Sequence, residues 1–135
     1  MGLKTVLDLR ERQREEAALA MAVQRRQRDD QATALERAIA QRDSIPTSAL
    51  NADDLDLLDR AARAAERSIV TAKEALSSAE ALLIARVDDH KLRSMQHQAV
   101  TRISERRADD KAADDRRKEQ RTADDLAARR ISPWS

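Results

Sequence analysis

Ser44-Ile45-Pro46-Thr47-Ser48-Ala49-Leu50-Asn51 is the one place between Leu3 and Arg130 where a helix must stop. Pro46 has no N–H to donate, and its ring collides with the carbonyl four residues back. It also drives Ile45 out of the α region. On both sides lie long runs of Ala, Leu, Glu, Asp, Arg, Lys and Gln, most of them good helix formers. The stretch therefore predicts helix 1 over about residues 3–43, a turn over about 44–51, helix 2 over about 52–130 and a frayed tail at 131–135. The arms are unequal, about 40 residues against about 80, so the second outruns the first at equal rise per residue.

Composition narrows the class. A chain of 135 residues is one domain by length, yet charged residues make up 38% of it, Trp134 is its only aromatic and Gly2 its only glycine. A compact core draws much of its buried area from aromatic rings. Here the apolar inventory is mostly Ala with some Leu, Ile and Val, which suits thin helix-on-helix seams and gives the composition of a coiled coil. The near balance of 26 basic and 25 acidic residues argues against a disordered, self-repelling chain. Without cysteine there is no disulfide framework and no thiolate chemistry. No apolar run approaches the ~20 residues of a membrane span and no signal-peptide core is present. Val6 stands where a myristoylation signal requires Ser or Thr. The expectation is a cytoplasmic protein with no direct membrane insertion, and a net charge of +1 gives no general attraction to nucleic acid.

Apolar spacing then describes the arms. In the first, Leu3, Val6/Leu7, Ala17, Met21, Ala32, Leu35 and Ala38/Ile39 fall along one face. Gln24, Arg28 and Gln31 interrupt that seam, and polar residues in such places lower stability while fixing register. The second arm opens on Asn51, a good N-cap, with Asp53 and Asp54 in the first turn where the helix dipole favours them. A heptad follows: Leu55, Ala62, Ile69, Leu76 and Leu83 in one column, Leu58, Ala65, Ala72 and Ala79 in the other. After Leu83 the apolar residues Val87, Leu92, Met95, Ala99 and Ile103 form a displaced stripe, which reads as a stutter. Folding the arms about a turn centred near Ser48 makes partner numbers add to roughly 97, so the second arm should lose its cover just past Met95. The fold class is all-α, an antiparallel two-helix coiled-coil hairpin forming a single domain, with the longer second helix overhanging at the C-terminus.

The residues offer little to catalysis. His90 and His97 share a face but stand about 10 Å apart along a helix, too far to ligate one metal unaided. The Asp doublets, such as Asp88-Asp89 and Asp114-Asp115, diverge by about 100° and are solvated faces rather than paired catalytic carboxylates. One glycine cannot build a phosphate loop. The expectation is a protein that is not an enzyme and takes no cofactor or metal. Basic doublets such as Arg116-Arg117 lie among acids, with no aromatics for base stacking.

Three stretches resemble the FliJ/YscO family, soluble stalk proteins of flagellar and virulence type III secretion systems. Residues 3–20 give a leucine-spaced start running into charge and then alanine. Residues 45–55 resemble the family's tip and second-helix entry, and residues 118–130 its C-terminal pattern of Glu-Gln, an acidic pair, alanine and arginine. The resemblance implies a hairpin similar to the central stalk of rotary ATPases, docked in a hexameric export ATPase and promoting its activity. It also implies a tip that approaches the export-gate membrane protein, and contact with export chaperones. By matched position, Glu119, Gln120, Asp124, Asp125, Arg129 and Arg130 are the candidates for ring contact, with Arg10 and Arg12 from the opening match beside them. The flagellar branch places aromatics near the tip; this chain has none, so gate contact would use Ile45 and Leu50, and the lack leans toward the virulence branch. The expected function is thus a non-catalytic stalk at the cytoplasmic face of a secretion machine. The competing reading is a generic coiled-coil scaffold or adaptor, homodimeric and without an ATPase partner.

Overall fold

The computed structural model describes residues 2–48 and 51–131; Leu50 and the tail expected beyond Ile131 lie outside them. Two helices make up the fold, α1 at Leu3–Asp43 and α2 at Ala52–Ile131. They pack against each other as an all-α helical hairpin, with no strand among the described residues.

Local chemistry explains the helix ends. At the close of α1 the Ser44 N–H donates to Ala40 O at 3.0 Å and the Ile45 N–H to Arg42 O at 3.1 Å, tightening the last turn. The Ser44 hydroxyl donates to Gln41 O at 2.7 Å, satisfying one of the carbonyls a helix end leaves orphaned, and Pro46 then forbids continuation. Asn51 caps α2: its Oδ1 accepts the Asp54 N–H at 2.8 Å. The start of α1 is weaker, with no acid in its first turn and only Gly2 O accepting from the Thr5 and Val6 N–H groups.

The chain divides into two compact units, one of Gln13–Arg93 and one of Met1–Arg12 with Ser94–Ser135. The 13–93 unit holds the buried apolar core among the described residues: Ala17, Ala65, Ile69 and Ala79. Ile69, at 3% exposed, is the most deeply covered. Leu58, Ala62, Ala72, Leu76 and Leu83 complete the heptad columns half-buried. Gln24 is 5% exposed and its Nε2 donates to Ala79 O at 3.3 Å, across the seam. A polar side chain that is costly to bury unless bonded here fixes which turns face one another.

Two expectations are corrected. The register is later than a turn centred on Ser48 would give. Gln24 meets Ala79, Arg42 pairs with Glu66 at 3.7 Å, and Arg10 bonds Gln96, so partner numbers add to 103, 108 and 106 rather than about 97. The connection after Ile45 is not helical, and α2 begins at Ala52. The first turns of α2 therefore stand beyond the last turn of α1. Leu55, expected in the heptad, is accordingly 62% exposed.

The second correction concerns the stripe after Leu83. That stripe is not the seam, although the phase breaks locally: Arg86, the next heptad position, is exposed while Val87 beside it is half-buried. In the 13–93 unit, His90 and Arg93 take the next seam positions half-buried, and in the other unit His97, Val100 and Ser104 do the same. Val87 stays half-buried, whereas Ala99 is exposed and Leu92, Met95 and Ile103 are 50%, 66% and 48% exposed. Beyond Arg86 the original columns return at His90 and Arg93, so apolar spacing alone misplaces the seam.

Candidate docking surface

All the residues expected to meet an ATPase ring fall in the second unit, where the opening turns of α1 lie against α2. The interface is mixed: Leu3, Val6 and Leu7 of α1 and Val100 of α2 are half-buried, and polar contacts lie beside them. Arg10 Nη1 donates to Gln96 Oε1 at 3.0 Å, and His97 Nε2 meets the Glu11 carboxylate. The His97 side chain is 16% exposed, and the Thr101 hydroxyl donates to the His97 carbonyl at 2.8 Å. None of the buried apolar residues belongs to this unit. Continuing the Arg10–Gln96 register places Leu3 opposite about residue 103, and burial agrees: Thr101 and Ser104 are half-covered, while 105–130 are exposed apart from Ala113. The uncovered segment of α2 is about 40 Å long at 1.5 Å per residue. It begins about eight residues later than the 97 register implied.

On that segment Glu119, Gln120, Asp124, Asp125, Arg129 and Arg130 are all exposed. At 100° per residue they do not share one face. Gln120 and Asp124 form one pair, with Gln120 Nε2 donating to Asp124 Oδ1 at 3.0 Å. Asp125 and Arg129 occupy a second face, four residues apart. Glu119 and Arg130 flank a third. Nearer the start of the segment, Arg117 Nη1 meets Asp114 Oδ1 at 3.3 Å. Such exposed pairs contribute about 0–1 kcal/mol and exchange easily with other partners.

Leu126, 52% exposed, lies between Glu119 and Arg130 on the third face, where Ala123, Ala127 and Arg130 line the same shallow hollow. The matched motif did not select it as a contact residue. Its signal was visible: no other large apolar residue occurs from Ser104 to Arg130. Of the two N-terminal candidates, Arg12 is exposed, whereas Arg10 is half-buried and engaged with Gln96. In the 13–93 unit, Ile45 is half-buried and shares a hollow with Pro46, Leu58 and Ala61, so it offers less apolar surface at the tip than its sequence position suggested.

No helix among the described residues is long and apolar enough to cross a membrane. The fold and these surfaces define a helical-hairpin protein whose exposed second-helix segment is built from polar, exchangeable contacts. The chain belongs to the FliJ family: the family model described as flagellar FliJ protein matches residues 2–133. Membership implies a non-enzymatic component of the flagellar type III export stalk. The description of that model is flagellar, whereas the missing aromatics leaned toward the virulence branch. No curated protein and no solved structure matches the chain.

Proposed function

We propose that this protein is the central stalk of a type III export ATPase, docking in the hexameric ring through the uncovered part of α2 and stimulating hydrolysis. The observation that carries the reading is the exposure of residues 105–130 on every face apart from Ala113. A helix left bare around its circumference, with acids and bases interleaved, can meet ring subunits in turn. Weak, reversible ion pairs suit that task because none of them holds the axle in one state. Leu126 would add one apolar contact on the Glu119–Arg130 face. The tip near Ile45 and Leu50 would approach the export gate from the cytoplasmic side, with export chaperones as further partners.

The test is hydrolysis by the cognate export ATPase, titrated with wild-type chain and with Arg129→Glu/Arg130→Glu. Both substitutions lie on exposed helical surface and should leave helicity by circular dichroism within a few per cent, as surface changes usually do. Stimulation should fall several-fold in the variant. Equal stimulation by the two proteins removes this pair from the contact.

A further inference from the structure

The seam of the Met1–Arg12/Ser94–Ser135 unit joins polar contacts to half-buried Leu3, Val6, Leu7 and Val100, while other apolar side chains of α2 face outward. Met95, Ala99 and Ile103 are four residues apart, so they stack along one line of α2. That line lies about 100–160° around the helix from His97, Val100 and Ser104, which face α1. Met95 is 66% exposed and Ile103 48%, and Ala99 between them is exposed too. Among the described residues nothing buries the stripe.

Its border has a sign. Arg102 and Arg106 are exposed within one turn of Ile103 on the stripe's side, and among the described residues neither is held in an ion pair. Glu105 and Asp109 are turned roughly 80–120° away from the stripe's axis. The nearest acids in line with it are Asp88 and Asp110, each about two turns from the stripe's nearer end. The geometry points to a docking surface for an amphipathic helix of another protein, one whose apolar stripe is bordered by Asp or Glu. Met95 and Ile103 supply the apolar contact, and Arg102 and Arg106 select the acidic border.

The area argues against a second copy as occupant. Three side chains, one of them alanine, expose at most a few hundred Å², well below the ~800 Å² per partner of a stable complex. A parallel self-pairing would also set Arg102 and Arg106 against their own counterparts, a like-charge arrangement that suppresses wrong partners. A small apolar stripe with a charged border fits a partner that arrives and leaves. Its apolar residues lie before the uncovered segment, and Arg106 stands in the first turn of that segment.

The experiment uses the full chain and two labelled synthetic helices sharing one Leu/Ile stripe, bordered by Glu in one and by Lys in the other, followed by fluorescence anisotropy at low salt. The Glu-bordered peptide should bind about tenfold or more tightly than the Lys-bordered one, and raising salt should narrow the gap. Met95→Gln/Ile103→Gln should weaken binding of the Glu-bordered peptide about tenfold with unchanged helicity. Arg102→Glu/Arg106→Glu should reverse the preference between peptides. Absence of binding by both peptides, equal binding of both, or binding unaffected by Met95→Gln/Ile103→Gln overturns the proposal. Sedimentation of the free chain as a dimer that the same glutamines disperse would overturn it in favour of a second copy.

Discussion

The same two helices make two different seams. In the 13–93 unit, Ala17, Ala65, Ile69 and Ala79 are buried and a single glutamine is bonded across them. In the other unit, Arg10 meets Gln96 and Glu11 meets His97, with no buried apolar residue among the described ones. Apolar burial contributes roughly 25 cal/mol per Å² and does not depend on exact direction. A neutral or singly charged hydrogen bond contributes about 1–2 kcal/mol net and demands geometry. The first seam therefore supplies most of the stability, while the second sets orientation where α1 begins and leaves α2 open beyond it. An apolar seam near the uncovered segment would hold it more firmly, but would leave less polar surface for exchange with a partner.

The largest effect should come from breaking the first seam. Ile69→Ala removes the most buried side chain and should cost about 2–4 kcal/mol, read as a lower urea midpoint by circular dichroism. Gln24→Ala should cost about 1 kcal/mol, from loss of the bond to Ala79 O. A variant as stable as wild type would show that the glutamine holds no register. Converting the second seam to the chemistry of the first sharpens the contrast. Glu11→Leu/His97→Leu should be neutral or stabilising by about 1 kcal/mol, because a half-exposed ion pair contributes only about 0–1 kcal/mol and added apolar burial offsets its loss. Slower amide exchange over residues 94–104 would register the gain. The smallest effect belongs to Arg42→Ala, whose pair with Glu66 at 3.7 Å is exposed on both sides and should change stability by less than about 1 kcal/mol.

The fold class was legible because its decisive feature is local. Pro46 ends a helix through missing donor and steric clash, and Asn51 starts the next through its side-chain acceptor; both act within a few residues. Register was not legible, because it depends on the path of a non-helical connection. Counting from Ser48 ignored the turns of α2 that rise past the end of α1. The stripe after Leu83 misled for a different reason. Apolar periodicity identifies a seam only when the partner offers a continuous apolar face, and here Arg10 and Glu11 follow the half-buried Leu3, Val6 and Leu7 on α1. The C-terminal candidates were read from a motif whose charges repeat at helical spacing, which gives their exposure but not a shared face. Leu126 went unselected although it was conspicuous as the lone large aliphatic in a charged run.

The central claim is that the uncovered segment of α2 is the part that acts on the ATPase. Hydrolysis by the cognate export ATPase, titrated with the full chain and with a version ending at Ile103, tests it most directly. The account predicts stimulation by the full chain and none by the truncated one, with the 13–93 unit of both equally helical and equally resistant to urea. Equal stimulation by both would contradict it and move the contact to the hairpin itself.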